Sequence, residues 1–122
     1  MQNNQTKKFD LEERTTKFAI EVVRLCKKLQ KNPMNDRFIG QVAGSAGSVG
    51  ANYREANDAL GKKDFILRAK ISRKEAKETM HWLELVREAN PGFADEIEVL
   101  IKEATELKNI LSAIIDKVEN KK

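Results

Sequence analysis

The fold turns on the stretch Gly40-Gln-Val-Ala-Gly-Ser-Ala-Gly-Ser-Val-Gly-Ala-Asn-Tyr53, with Arg54-Glu55-Ala56 directly after it. No side chain from Phe38 to Tyr53 is charged, in a chain that is 34% Asp, Glu, Lys and Arg. Glycine and serine at this density suit a linker. The apolar and small positions are too regular for one. Phe38, Val42, Ser45, Val49, Asn52, Ala56 and Ala59 alternate steps of four and three, the seam of a packed helix. Beside it run Gly40, Gly44, Gly47 and Ala51, also at helical spacing. Four glycines (40, 44, 47 and 50) in one helix forgo roughly 4 kcal/mol against alanine, at roughly 1 kcal/mol each. Close approach of another backbone is the expected offset.

The same rhythm extends both ways. Leu11, Thr15, Phe18, Val22, Leu25 and Leu29 predict a first helix from about Phe9 to Lys31, with Asp10, Glu12 and Glu13 near its start and Lys27, Lys28 and Lys31 near its end, as the helix dipole favours. Asn32-Pro33 stops it. Asn35 or Asp36 is the expected cap of the second helix, which runs to about Leu60, and Gly61 the expected stop. A third helix, Lys62 to about Ala89, carries the seam Phe65, Ala69, Ser72, Ala76, Thr79, Leu83 and Val86. Its centre is as small as that of the second helix, so these two can lie unusually close. Asn90-Pro91 opens a fourth helix over about 91–119, whose seam of Ile97, Leu100, Ala104, Leu107, Leu111, Ile114 and Val118 is bulky. No stretch alternates like a strand. Short joints make neighbours antiparallel, so the expected fold is an all-α, up-down-up-down four-helix bundle over residues 9–119. Residues 1–8 read as a disordered tail and 120–122 as a basic C-terminal tail.

The chain has 122 residues, enough for one domain with its own core. The single cysteine, Cys26, rules out an internal disulfide or a cysteine-rich zinc site and suits a reducing cytoplasm. The first residues lack the apolar core of a secretory signal, and no apolar run reaches the ~20 residues of a membrane span. Apolar residues beside the seams exceed what one bundle uses: Ile39 and Tyr53, then Leu67, Ile71, Trp82 and Leu85, then Ile101, Ile110 and Ile115. Either each helix has a wide apolar face, or a second face is buried between subunits.

Charge is unevenly spread around a net of +4. Residues 62–77 hold seven basic and two acidic side chains, whereas 91–120 are net −4. Lys63, Lys70, Lys74 and Lys77 share one side of the third helix, with Arg68 and Arg73 nearby. Together with Lys27, Lys28 and Lys31 they form a candidate phosphate-binding surface. The competing account is a solvated face paired with Glu96, Glu103 and Glu106 of the fourth helix. Few aromatics are free to stack on bases, so binding would be electrostatic and weakly sequence-specific. Asn52, Glu55, Glu75 and Glu78 are expected to meet Arg54, Arg73 or Lys74 in a structural polar layer. A di-iron site needs two Glu-x-x-His pairs. Only Glu78 and His81 stand at that spacing, so no metal or other cofactor is expected, and no enzyme. Cys26 reads as a small core residue, with no base placed beside it.

Three stretches resemble one family: Phe18-Ala19 to Leu29; Gly44-Ser-Ala-Gly-Ser-Val-Gly-Ala-Asn52-Tyr-Arg-Glu55-Ala56, with its Asn-x-x-Glu ending; and Phe65 through Ile71-Ser72-Arg-Lys74-Glu75-Ala-Lys-Glu78-Thr79 to Trp82-Leu83. In these the chain resembles the 23S rRNA intervening-sequence proteins, over about residues 9–118. Many members carry glycine where this chain has Ala56, and Gly-Ser where it has Lys74-Glu75. The resemblance implies a bacterial four-helix protein assembling as a homo-oligomer, a pentamer in related proteins. It also implies a role in binding RNA or DNA, or as an accessory to a protein partner such as a reverse transcriptase.

Overall fold

The computed structural model describes the backbone of residues 3–120 and the side chains of residues 11–120. Four long helices make up the described chain: α1 Asn3–Lys28, α2 Pro33–Asn57, α3 Lys62–Ala89 and α4 Ala94–Glu119, with a 3-10 turn at Pro91–Phe93. Among the described residues there is no strand. α1 opens ahead of Phe9 and closes ahead of Lys31. Of the tail expected over residues 1–8, Met1 and Gln2 lie outside the described residues, as do Lys121 and Lys122 of the basic C-terminal tail. With α1 starting this early, Glu12 and Glu13 belong to its body and not to its first turn.

Two boundaries differ from the sequence reading for local reasons. Asn32, not Asn35 or Asp36, caps α2. Its extended backbone lets Oδ1 accept the Asn35 N–H at 2.8 Å, and Pro33 takes the first helical position. Gly61 starts α3 and does not end α2, which already stops at Asn57. The Gly61 carbonyl accepts the Phe65 N–H at 3.0 Å, the first bond of the new helix.

Each helix packs on its chain neighbours and α1 closes on α4, while α1 and α3 sit diagonally, with no close backbone approach among the described residues. Cross-helix partners run in opposite senses: Ser72 and Thr79 of α3 meet Val49 and Ser45 of α2. Arg73 and Arg87 likewise meet Ser112 and Glu98 of α4. Neighbours are therefore antiparallel, as short joints require. Every seam position of α1 is buried. So is the seam of α3 from Ala69 to Val86, and that of α4 from Ile97 to Leu111. Of the surplus apolar residues, Ile101 and Ile115 are core, and Ile39, Tyr53, Trp82 and Ile110 pack against it. Leu67 and Leu85 stay exposed.

The slender middles of α2 and α3 do come together. Ser72 Oγ donates to the Val49 backbone carbonyl at 2.7 Å, a reach that a one-carbon side chain makes only when the helices are close. One turn away on α2 and two on α3, the Thr79 and Ser45 hydroxyls lie 2.9 Å apart, both buried. The glycines explain this less than expected. A Cβ at Gly50 would stand 2.9 Å from Thr15 Oγ1 and 3.3 Å from Thr15 Cβ, so α1 and α2 do need a glycine there. At Gly40, Gly44 and Gly47 a Cβ would meet nothing within 4 Å. The close approach that was to offset all four glycines exists within this chain at one.

Candidate nucleic-acid interface

The centre of the candidate site follows from the pitch of α3. With about 3.6 residues per turn, steps of seven, four and three put Lys63, Lys70, Lys74 and Lys77 in one stripe. That stripe points away from the buried Ala69, Ser72, Ala76 and Thr79, and all four lysines are exposed. A shallow open depression along it is lined by Lys70, Arg73, Lys74, Lys77, Glu78 and His81. Lys70 Nζ pairs with Glu119 at 3.0 Å, and Arg73 Nη1 donates to Ser112 Oγ at 3.2 Å, so both lean toward α4. Lys63, Lys74 and Lys77 form no ion pair with any described residue.

The acidic residues expected to neutralise this stripe are engaged elsewhere. Arg14 of α1 holds Glu103 through Nε at 2.7 Å and Nη2 at 2.9 Å, and Glu106 through Nη2 at 2.6 Å. The hydrogen bonds that Arg14 donates to Glu103, and next to Glu106, push its guanidinium well above its ordinary range. Glu96 pairs with Lys28 at 2.6 Å. All three acids face α1 and not the α3 stripe, where Glu119 pairs with Lys70 and Glu78 lines the same depression.

The rest of the candidate set does not gather. Arg68 lies about 120° around α3 from Lys74 and sits 3.9 Å from Asp64 on its own helix. Lys27, Lys28 and Lys31 belong to the diagonal helix and the joint after it. Lys28 is paired with Glu96, and Lys31 lies 3.5 Å from Asp36. They share no surface with the α3 stripe.

The expected polar layer is also different. Asn52 is half-buried and spends Nδ2 on the Ser48 carbonyl of its own helix at 2.9 Å. Glu55 and Glu78 are exposed and make no ion pair with a described residue. Glu75 is half-buried. Burial first, then the Glu78 carboxylate, raise its carboxyl above the usual carboxylate range, against the opposing pull of Lys74. The buried polar groups are the smaller Thr15, Asn35, Ser45, Ser72 and Thr79. Of these, Asn35 was read as a helix cap and not as a core residue, because an Asn beside a helix start suits either.

Cys26 is buried, and burial pushes its thiol up, as for an inert core residue. His81 is exposed, its ring edge-on to Trp82 at 5.0 Å. Among the described residues no three His, Cys, Asp or Glu side chains are grouped to hold a metal ion, and no helix is long and apolar enough to cross a membrane.

Residues 7–113 match the family model described as 23S rRNA-intervening sequence protein. A crystal structure of a protein with unknown function from the S23 ribosomal protein family, from Bacteroides thetaiotaomicron, is 33% identical, with a TM-score of 0.76. The likeness covers 87% of this chain and 95% of that one. No curated protein matches the chain significantly.

Proposed function

The chain belongs to the 23S rRNA-intervening sequence protein family, and we propose that it is a non-enzymatic, self-associating helical protein that binds the phosphate backbone of nucleic acid through the outer stripe of α3. The observation that carries this reading is that Lys63, Lys74 and Lys77 form no ion pair with a described residue, with Glu96, Glu103 and Glu106 turned toward α1. With Trp82 packed on Phe38 at 6.2 Å and Tyr53 on the core, these two rings are not free to stack on bases, so contacts fall mainly on phosphates.

Binding to a structured RNA and to a duplex DNA of equal length, titrated against salt, tests it. The expected result is a linear fall of log affinity with log salt, and a slope shallower by about 2 in Lys74→Glu/Lys77→Glu. No retention of either nucleic acid at low salt overturns it. A second reading, a protein-interaction scaffold with no nucleic-acid binding of its own, is favoured by Leu67 at 54% and Leu85 at 37% exposure on the same helix. A protein complex that survives nuclease and high salt would support that reading.

A further inference from the structure

Given the phosphate binding proposed above, on which this rests, we propose that the α3 stripe selects RNA over DNA, with Glu78 and His81 together reading the ribose 2′-hydroxyl.

The stripe is not uniformly basic. Glu78 lines the same shallow depression as Lys70, Lys74 and Lys77. It is exposed, one turn after Lys74 and next to Lys77, and still forms no ion pair with a described residue. Its carboxylate oxygens only accept hydrogen bonds, and so do the oxygens of a phosphodiester. Between Glu78 and a phosphate there is only repulsion. A surface that held phosphates alone would gain nothing from an acid at this place.

One group on the RNA backbone reverses this. Every ribose stands between two phosphates, so a strand whose phosphates meet Lys70, Lys74 and Lys77 carries its sugars across the same depression. The 2′-hydroxyl both donates and accepts, and DNA lacks it. Glu78 accepts its proton in a hydrogen bond. His81 is exposed in the same depression, three residues on, about 4.5 Å along the helix axis. In either charge state an imidazole carries at least one N–H, which donates to the hydroxyl oxygen. The ring of Trp82, edge-on with centroids 5.0 Å apart, supports the His81 ring. Acceptor and donor thus sit one turn apart on one side of α3. A ribose satisfies both and a deoxyribose satisfies neither. The carboxylate repels both polymers, and only RNA offers it a bond, so the cost to DNA is part of the selection.

Fluorescence anisotropy with three duplexes of one sequence tests this: RNA, DNA, and RNA with 2′-fluoro sugars, which keeps the A-form but has no hydroxyl. The wild type is expected to hold RNA about tenfold more tightly than the 2′-fluoro duplex, the effect of one hydrogen bond to a charged group. Glu78→Ala should bind the 2′-fluoro and DNA duplexes more tightly than the wild type does, and should lose the gap between RNA and 2′-fluoro RNA. His81→Ala should narrow that gap. Both residues are exposed on a helix, so the variants should fold, which circular dichroism checks. Equal wild-type affinity for RNA and its 2′-fluoro counterpart overturns the proposal and leaves phosphate binding standing, as does a gap that survives either substitution. Retention of no duplex at all overturns both.

Discussion

Asn35 and Asn90 exchange two hydrogen bonds across the end of the bundle: Asn35 Nδ2 donates to Asn90 Oδ1 at 3.0 Å, and Asn90 Nδ2 to Asn35 Oδ1 at 2.9 Å. Each amide spends its remaining donor on a carbonyl, Asn35 on Gln30 at 2.7 Å and Asn90 on Val86 at 3.0 Å. The pair ties the α1–α2 joint to the α3–α4 joint. Asn35 is 2% exposed, so its amide has almost no water to fall back on.

Truncating either partner strands the other. Asn35→Ala and Asn90→Ala should each lower stability by about 2 kcal/mol, read from urea denaturation. The double variant should cost less than the two together, since the exchanged bonds are lost only once. Strict additivity would show that the two amides act independently.

The glycines of α2 should divide by position. Gly50→Ala pushes a Cβ against Thr15 and should destabilise by about 1–3 kcal/mol. Gly40→Ala, Gly44→Ala and Gly47→Ala meet nothing within 4 Å and should each stabilise the dilute, dissociated chain by up to about 1 kcal/mol. Thermal melts at low protein concentration distinguish the classes. A stabilised Gly50→Ala would contradict the packing of α1 on α2.

Ser72 measures how close α2 and α3 lie. Ser72→Ala removes a hydroxyl from a carbonyl that keeps its helical bond, and should cost about 1 kcal/mol. Ser72→Leu must force the helices apart and should cost more, about 3 kcal/mol or beyond. Equal effects from the two substitutions would mean that there is slack at this level.

Glu75 sets a pH dependence. Its folded carboxyl is raised mainly by burial, so the folded chain binds a proton more readily than the unfolded one. Stability from this group therefore falls as pH rises from the ordinary carboxylate range through the raised folded value. Glu75→Gln removes the penalty and should be more stable than the wild type at neutral pH, the gap closing on acidification. Denaturation at several pH values reads this directly, and a gap that widened toward acid would refute the sign.

Much of the fold was legible because burial leaves a periodic trace. Val22, Val49, Leu83 and Leu107 are wholly buried where the seams put them. Helix ends were less legible, because Asn32, Asn35 and Asp36 can all cap, and Gly61 serves equally as a stop or a start. In the candidate site, Lys63, Lys70, Lys74 and Lys77 form the stripe their spacing implies. Arg68 and the lysines at the end of α1 do not join it, since proximity in a list of basic residues carries no information about direction around a helix or about which helices are diagonal.

By itself the sequence determined the number of helices, the side each one buries and the small middles of α2 and α3, because the pitch of the α-helix turns spacing along the chain into a face. Only the tertiary structure decided where the flanks point. It turned Glu96, Glu103 and Glu106 toward α1 and left Gly40, Gly44 and Gly47 open while closing Gly50 on Thr15. It also joined Asn35 to Asn90 across 55 residues of chain. A flanking residue has a neighbouring helix on either side to choose between, and that choice is made by how four cylinders pack around one core, which no single helix encodes.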